Sequence, residues 1–390
     1  MILDWLIVGG GIHGVHIAVR LLEDGGVPPA RLAVVDPEPR LMDRWRARAE
    51  ATGMTFLRSP SMHHIDSAPY ALQSFAARRR GGIGGHYTAP NRRPALDLFH
   101  RHSEHVIGRL GLARQHLQAR VQGIELGEGA ARVELDDGRR VGARRVVLAV
   151  GSSEQLPWPD WAPRGHPRIH HVFDPEGRGQ GPFGPVVGVL GGGVTAAQVA
   201  LRLARAGHRV ALISRHALRT SQYDSDPGWH GPKFMTDFAR IQDPVVRRAR
   251  ITEGRHRGTM PPDVYEELLR TVERGAVRLH LSRVARLTTG ARSLVLELES
   301  GRSVEVEDLV LATGFAAERP GGAMVDRLIA AEGLPCAPCG FPLVDAALRW
   351  HPRIHVSGPL AELELGPVAG NISGARRAGA RILGALTVSV

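Results

Sequence analysis

Two glycine-rich segments, VGGGIHG at 8–14 and LGGGVTAA at 190–197, constrain the fold of this chain more than any other feature. Each follows a continuous apolar run and precedes apolar residues spaced as on one face of a helix. Glycines at a strand-to-helix turn let the backbone approach a pyrophosphate, which then lies against the helix N-terminus. We therefore predict two separate dinucleotide-binding units in one chain.

A second repeated pattern supports this duplication. The segments VELDDGRRVGARRVVLAVG (133–151) and LELESGRSVEVEDLVLATG (296–314) align without a gap, with nine of 19 positions identical. Each is typical of a hairpin that turns at a glycine, followed by a buried strand that ends at another glycine. These final glycines, Gly151 and Gly314, are predicted to lie near the cofactors.

The predicted fold class is α/β, with two Rossmann-like dinucleotide-binding domains. The stretch 151–185 is rich in Pro, Gly and Trp and is interpreted as a crossing between domains. The first domain is predicted to be discontinuous, formed by 1–175 plus 315–390. The second, inserted domain is predicted over 183–314, with a helical insertion at about 216–275.

The first glycine loop is predicted to bind FAD through Gly9, Gly11 and Gly14. An acidic residue, Asp36, ends the next strand, where a carboxylate can bind the hydroxyls of an unphosphorylated adenosine ribose.

The second loop carries Gly191, Gly193 and Ala196, and Ser214 stands where the first unit has Asp36. Arg215 follows directly. A hydroxyl beside a guanidinium accepts a 2′-phosphate, which a carboxylate would repel, so this unit is predicted to bind NADPH. A protein with both sites would transfer hydride from NADPH to the flavin, which carries the chemistry.

At these residues the chain resembles the two-dinucleotide-binding flavoproteins, and among them the flavin-dependent monooxygenases that include the lysine and ornithine N-hydroxylases. The similarity lies in GGGVTAAQ (191–198) and in the segments at 45–76, 90–102 and 255–269. The resemblance implies that reduced FAD captures O2 as a C4a-hydroperoxide, which oxygenates a small nucleophilic substrate, most simply an amine. It also implies that Trp45 lies in the region of the flavin.

The resemblance has gaps where a substrate would be held. Arg58 and Ser59 stand where the family has a Lys-Asp pair, and the residues that hold an amino-acid substrate have no counterpart. Candidate acid–base or substrate-contacting groups are His63 and His64 beside the expected flavin, and Lys233, the single lysine of the chain. A helix beginning near Gly366–Asn371, after a glycine loop at Gly358, would place its positive end towards reduced flavin.

Two alternatives remain open at this stage. Cys336 and Cys339 form a CxxC, which would make the protein an NADPH-dependent flavin disulfide reductase. A flavin-binding redox sensor without turnover is the non-enzymatic alternative. The two cysteines alone do not indicate zinc, the paired histidines lack ligand spacing, and no metal is expected.

The net charge of +11 comes almost entirely from scattered arginines and is not accompanied by a nucleic-acid-binding motif. We therefore expect a small-molecule substrate and O2 as partners, and neither nucleic acid nor a membrane. The N-terminal MILDWLIVGG is interpreted as a strand and not a signal peptide, and two cysteines suit the cytoplasm. RRRGGIGGH (78–86) lacks strand–helix context and is interpreted as a surface loop. The sequence does not indicate an oligomeric state.

Overall fold

The structure, a computed structural model, describes residues 2–78, 85–152 and 154–387; residues 79–84 of the RRRGGIGGH loop lie outside this part. The strands are, in chain order, β1 Ile2–Val8, β2 Leu32–Asp36, β3 Tyr87–Thr88, β4 Arg93–Pro94, β5 His116–Gln118, β6 Val121–Leu126, β7 Ala131–Leu135, β8 Arg140–Leu148, β9 Ile169–His171, β10 Val186–Leu190, β11 Arg209–Ser214, β12 Arg219–Thr220, β13 Thr259–Met260, β14 Val277–Leu281, β15 Val284–Thr289, β16 Leu294–Leu298, β17 Ser303–Val306, β18 Asp308–Leu311, β19 Arg349–His351 and β20 Ile354–Val356.

The helices lie between groups of these strands. They are α1 Ile12–Glu23, α2 Asp43–Thr52, α3 Ala71–Ala77, α4 Leu96–Arg109, α5 Val194–Arg205, α6 Pro232–Arg240, α7 Pro244–Gly254, α8 Pro262–Glu273, α9 Gly322–Glu332, α10 Glu362–Leu365 and α11 Ile372–Thr387. In the described part of the chain, none of them is both long and apolar enough to cross a bilayer.

The first sheet has the order β19-β20-β8-β1-β2-β5, and β7 of the β6–β7 hairpin also pairs with β8. Strands β1, β2, β5, β8 and β20 run parallel. Helices α1 and α11 pack against each other, and α9 packs against β6. Because β20 pairs with β8, the C-terminal segment returns to the first domain, as predicted.

The second sheet is parallel throughout, with the order β14-β11-β10-β18-β9. Buried residues of α5 and α8 pack with one set of its side chains, and those of the antiparallel β15–β16–β17 layer pack with another. A parallel sheet covered in this way requires the continuous apolar strands seen in the sequence. The predicted α/β class with two Rossmann-like domains is confirmed.

The duplicated hairpin is repeated in its hydrogen bonds. Leu135 N donates to Arg139 O at 3.0 Å in the first copy, and Leu298 N donates to Arg302 O at 2.8 Å in the second. Gly138 and Gly301 adopt positive φ values of 84° and 79° at these turns. The sequence alignment therefore matched residues with equivalent backbone roles.

The strand β9 departs from the expected domain boundary. It lies on the first-domain side of residue 175, yet it pairs with β18 as the edge of the second sheet. The first crossing therefore enters the second domain earlier than the proline- and glycine-rich composition indicated. A three-residue strand between turns carries too short a pattern to be recognised from the sequence.

Candidate functional site

The first glycine loop is shaped for close backbone approach. Gly9 has φ +109°, and a Cβ there would lie 2.4 Å from the carbonyl oxygen of Ala149. A Cβ at Gly14 would lie 1.8 Å from the Gly9 oxygen, so both positions require glycine. A Cβ at Gly11 would meet nothing within 4 Å. This open space before the first turn of α1 fits the pyrophosphate of a dinucleotide.

Asp36 closes the loop from the end of β2. Its carboxylate accepts hydrogen bonds from Gly10 N at 2.6 Å and from Glu38 N at 2.9 Å. The side chain is only half-buried, so the outer face of the carboxylate remains available to a ribose. Together with the three glycines, Asp36 fits the adenosine end of a dinucleotide.

The second glycine loop repeats this geometry. Gly191 has φ +151°, and a Cβ there would lie 2.5 Å from the carbonyl oxygen of Ala312. Ala196 stands in the position of Gly14 and is fully buried beneath the loop. Above the loop, Gly258 Cα lies 3.3 Å from the Cβ position of Gly193, so the 256–260 segment covers this loop, unlike the first.

Ser214 and Arg215 have different environments. Ser214 is fully buried, and its Oγ donates to the carbonyl oxygen of His216 at 2.7 Å. Its hydroxyl therefore stabilises the turn after β11, and its only proton is used in that hydrogen bond. Arg215, directly after β11, is exposed. Arg219 is exposed too, and its Nη2 lies 3.4 Å from the Cβ position of Gly258 in the covering segment. The structure thus places the predicted phosphate-binding serine inside the protein and its arginine neighbour outside.

The two strand-end glycines occupy matching positions beside the loops. Gly151 follows β8 with φ +60°, and Gly314 follows β18 with φ +80°. A Cβ at either position would meet nothing within 4 Å. The positive φ explains the preference for glycine, and the space beside each one leaves room for a cofactor.

A buried histidine links the first loop to the C-terminal segment. His13 Nδ1 lies 2.9 Å from Ser357 Oγ, its ring lies 3.7 Å from the Cβ position of Gly358, and the ring also interacts with the backbone of Gly370 and Asn371. Burial lowers the pKa of His13 to about 4, so the ring is neutral near pH 7. Asn371 accepts from Gly374 N at 3.1 Å at the start of α11, which begins at Ile372, directly after the range 366–371 in which a helix start was expected.

His63 and His64 lie on the same loop but in different surroundings. The His63 ring lies 5.2 Å from the ring of His230, which precedes α6 of the second domain. His64 is fully buried, and its Nε2 donates to the Pro69 carbonyl at 3.1 Å. Burial, with Arg376 close to both, lowers each pKa to about 4. His63 thus reaches the domain junction, whereas His64 is a core residue.

Trp45 and Lys233 make ring contacts away from the two glycine loops. The Trp45 ring packs between α2 and α4, at 4.9 Å from the Phe99 ring and 5.3 Å from the His100 ring. Lys233 is exposed on α6, with Nζ 5.0 Å from the centre of the Phe234 ring. These contacts give neither residue a shared cluster with the glycine loops, and their proposed cofactor or substrate roles stay predictions.

Arg58 connects the loop that carries His63 to the second domain by hydrogen bonds. Its guanidinium donates to Gln222 O at 2.9 Å, to Ser221 O at 2.7 Å and to Thr259 Oγ1 at 2.9 Å. The residue that departs from the family pattern therefore joins the two domains. The sequence gave no signal of this role for Arg58, because all three partners lie far along the chain.

Buried acid–base pairs make a second junction, between α7 and α10. Glu362 is 2% exposed and binds both Arg248 and Arg255. Glu364 binds Arg247 Nη1 at 2.7 Å. A buried carboxylate is stable only when it is paired in this way, so the insertion holds the C-terminal segment in place. Sequence analysis missed these residues, since the arginines are unremarkable in an Arg-rich chain.

The crossings between the domains also contact each other. Phe173 lies in the first crossing, and Phe315 lies in the second, which follows β18. Their rings stack at 5.1 Å with an interplanar angle of 6°. The guanidinium of Arg48 lies over both rings, at 5.5 Å and 5.4 Å from their centres. In the described part of the chain, no group of three or more His, Cys, Asp or Glu side chains is placed to hold a metal ion.

Comparison with known proteins agrees with this architecture. The family model described as pyridine nucleotide-disulphide oxidoreductase matches residues 3–378. The chain belongs to this family. No curated protein sequence matches the chain.

Solved structures of this oxidoreductase fold are similar along the whole chain. The ornithine N-hydroxylase of Kutzneria sp. 744, in a complex with reduced FAD, NADP⁺ and L-ornithine, is 18% identical with a TM-score of 0.79, covering 100% of both chains. The ornithine hydroxylase of Pseudomonas aeruginosa is 18% identical with a TM-score of 0.78, covering 99% of both. The bacillithiol disulfide reductase of Bacillus cereus is 17% identical with a TM-score of 0.64, covering 100% of both. At these identities the likeness shows a shared fold.

The CxxC of this chain lies on a tight hairpin after α9. Cys336 pairs with Pro342 across the hairpin, and Cys339 is exposed at the turn, close to Arg248. Burial raises the pKa of the Cys336 thiol, with Arg319 opposing the shift. A raised pKa keeps this sulfur protonated near neutral pH, which is unfavourable for a thiolate that must exchange with a disulfide.

Proposed function

We propose that this protein is an FAD-dependent, NADPH-using monooxygenase that oxygenates a small nucleophilic substrate, most simply an amine. One observation carries the proposal. A single chain has two glycine loops of similar geometry, at Gly9 and Gly191, which we call the first and second cradle, in two domains joined by hydrogen bonds and ion pairs. Two cradles of this kind suit a hydride donor and a flavin acceptor. When bound, FAD would take electrons from NADPH and deliver them to O2.

The first cradle would hold FAD. Its pyrophosphate would lie over Gly11 at the start of α1, and the adenosine ribose would bind Asp36. The positive end of α11, capped by Asn371, would stabilise negative charge on the flavin. His13, neutral and placed between Ser357 and the backbone of Gly370 and Asn371, would hold the C-terminal segment against the loop.

The second cradle would hold NADPH. The covering segment around Gly258 would narrow access to its pyrophosphate position, and the exposed Arg215 and Arg219 would bind the 2′-phosphate. An acidic residue at position 214 would repel that phosphate, and this chain has none there.

The junction beside His63 suits an uncharged nucleophile. Arg376 lies near His63 and Arg377 near His230, and burial lowers the pKa of both imidazoles. Amines react as nucleophiles only in their unprotonated form. Cationic neighbours and neutral imidazoles disfavour an ammonium ion, so this environment would favour the reactive free amine.

Water exclusion would come from the apolar cluster that joins the insertion to the C-terminal segment. Trp229, Phe238, Phe341 and Leu363 are all at most 5% exposed and pack together there. Gly366 lies against this cluster, with its Cβ position 3.3 Å from Met235 Sδ. A dry site would limit the loss of reducing equivalents to solvent.

Disulfide reduction by Cys336 and Cys339 is the second candidate, favoured by the CxxC itself and by the similar fold of the bacillithiol disulfide reductase. The raised pKa of Cys336 argues against it. A non-catalytic flavin-binding sensor is the third candidate, and it differs in one respect: NADPH would not bleach its flavin.

The experiment is an oxygen-uptake assay on the purified yellow protein with NADPH and a panel of primary amines. We expect NADPH to bleach the flavin, and at least one amine to raise both oxygen consumption and oxygenated product in equal amounts. Oxygen uptake that yields only hydrogen peroxide with every amine would contradict the proposal. A protein that cannot be loaded with FAD would contradict it as well.

A further inference from the structure

A cleft lies between the second sheet and the β15–β17 layer that covers it, at the end of the sheet where β10 and β11 begin. Its volume is about 560 Å³, within the range of small-molecule sites. Its apolar lining comes from the first residues of β10 and β11, from the turn before β14 and from β17. The ionisable residues of this lining are Arg209, Arg278, His280, Arg292, Glu305 and Glu307.

This cleft is separate from both glycine loops. The parallel strands β10 and β11 begin at the cleft and end at the second loop, so the two sites lie at opposite ends of one sheet. Since β11 has six residues, Arg209 and Ser214 at its ends are about 17 Å apart, at a rise of about 3.3 Å per residue. The residues assigned above to FAD and NADPH lie outside the lining of the cleft. A ligand bound here would therefore leave both cofactor positions open.

The three arginines of the cleft have no acidic partner. The side chains of Arg209, Arg278 and Arg292 are exposed, and none of them makes a hydrogen bond or ion pair to a residue that the structure describes. Arg278 lies two residues before His280 on β14, so both side chains leave the same face of this strand. Guanidinium groups gathered in this way bind a phosphate through paired, charge-assisted hydrogen bonds.

His280 adds a buried hydrogen-bonding group to the cleft. Its Nε2 is buried and has no hydrogen-bond partner among the described residues. Burial, with Arg278 and Arg302 close by, lowers the pKa of His280, so the ring is neutral near pH 7 and has one donor and one acceptor nitrogen. A buried nitrogen without a partner costs free energy, which a polar ligand in contact with it would recover.

Glu305 and Glu307 bring negative charge to the same cleft. Neither carboxylate forms an ion pair with a residue in the described part of the chain. Ser293 Oγ donates to Glu305 Oε1 at 2.6 Å, which holds this carboxylate beside the turn between β15 and β16. Carboxylates repel a bare oxyanion but accept hydrogen bonds from ligand hydroxyls. The lining therefore suits a ligand that has both an oxyanion and hydroxyl groups.

We propose that this cleft binds the phosphate ester of a polyhydroxyl compound, a sugar phosphate or a nucleotide, at a site distinct from those of the two redox cofactors. Arg209, Arg278 and Arg292 bind its phosphate, and Glu305 and Glu307 accept hydrogen bonds from its hydroxyls. The inference is independent of the proposed function, because no residue of the cleft belongs to the proposed electron path.

The first test is a calorimetric titration of the purified protein with ribose 5-phosphate and, separately, with AMP, in the presence of excess NADP⁺. We expect saturable binding of one ligand per chain, and Arg278→Ala to weaken it about tenfold, because one charge-assisted contact is lost. Arg286→Ala, which removes an exposed arginine of β15 outside the cleft, should leave binding unchanged. Tighter binding of AMP would identify a nucleotide as the ligand, and equal binding of the two probes a sugar phosphate.

Three results of this titration would overturn the inference. They are absence of saturable binding by either probe, displacement of both probes by NADP⁺, and equal binding by Arg278→Ala and the wild-type protein. Failure of the proposed function would be seen elsewhere, as an absence of amine oxygenation, and would leave this titration unaffected.

The second test separates the phosphate from the hydroxyls by comparing ribose 5-phosphate with inorganic phosphate. Glu305→Gln keeps an acceptor for Ser293 and removes only the charge. We expect this variant to weaken binding of ribose 5-phosphate about fivefold and not to weaken binding of inorganic phosphate, because the carboxylate contacts only hydroxyls. Equal or tighter binding of ribose 5-phosphate by Glu305→Gln would show that the carboxylate merely opposes the anion, and would overturn the assignment to a polyhydroxyl ester.

Discussion

The hydroxyl of Ser214 donates a hydrogen bond to the carbonyl oxygen of His216 across the turn that follows β11, at 2.7 Å. The Ser214 side chain is fully buried and His216 is half-buried, while Arg215 between them is exposed. Ser214, which the sequence suggested as a phosphate ligand, therefore binds the backbone, and only Arg215 stays exposed to solvent.

Substitutions at Ser214 and Arg215 should have different effects. The first should change the stability of the protein, and the second its preference for NADPH over NADH. Ser214→Ala removes one buried hydrogen bond and should lower the free energy of unfolding by about 1 kcal/mol, with little change in the ratio of NADPH to NADH affinity. Arg215→Ala should weaken NADPH binding about tenfold and leave NADH binding unchanged. Equilibrium titrations of both nucleotides and urea denaturation measure these effects. An unchanged NADPH affinity in Arg215→Ala would assign the phosphate to Arg219 instead.

Gly11 and Gly14 offer a matched pair in the first loop. Gly14→Ala forces a Cβ to 1.8 Å from the Gly9 oxygen and should destabilise the protein by at least about 2 kcal/mol. Gly11→Ala meets no protein atom within 4 Å and should fold normally, yet its methyl group would occupy the expected pyrophosphate position. Flavin content after purification and thermal unfolding distinguish the two variants. A fully yellow Gly11→Ala protein would show that FAD does not lie over this loop.

Replacement of both cysteines tests the disulfide-reductase alternative. We expect Cys336→Ser with Cys339→Ser to retain NADPH-dependent flavin reduction, because neither thiol belongs to the proposed electron path. Anaerobic thiol titration of the wild-type protein before and after NADPH addition gives a second measurement, and no new thiols should appear. Two additional thiols per chain, together with loss of turnover in the double variant, would favour the reductase.

Buried histidines predict a loss of stability in mild acid. His16 is fully buried and donates from Nδ1 to the Ile65 carbonyl at 2.9 Å. Burial lowers its pKa to about 3 from an ordinary 6.5. The unfolded chain binds a proton at this histidine and the folded chain does not. The free energy of unfolding is therefore undiminished above pH 6.5 and falls as the pH decreases towards the folded pKa.

Between pH 7 and pH 5, a histidine of this kind should contribute a loss of at most about 2 kcal/mol. We expect His16→Gln to be less stable at pH 7 but to show a flatter decline, measured by denaturant unfolding at several pH values. His105→Gln, at an exposed position of α4, serves as the control and should follow the wild-type curve. A wild-type protein equally stable at pH 7 and pH 5 would contradict the burial of neutral histidines.

The duplicated fold was predictable because it depends on local patterns. Glycine spacing, helix-period apolar residues and continuous apolar strands act within about thirty residues of one another. The positive φ of Gly9 and Gly191 follows from those patterns directly. The strand β9 was not predictable, because its identity depends on pairing with β18, which lies far along the chain.

The site was predictable only where a loop acts by itself. Arg58 gains its role from Ser221 and Thr259, and Glu362 from two arginines of the insertion. In a chain with one lysine and many arginines, no spacing distinguishes a junction arginine from a solvated one. Only tertiary packing makes that distinction.

The pairing of Glu362 with Arg248 and Arg255 has a consequence for engineering. Removing the inserted domain would leave an anion in an apolar interior with no counter-charge, so the flanking segments should not survive as a minimal flavin-binding fragment. Any exchange of this domain between homologues would have to keep Glu362, Arg248 and Arg255 together.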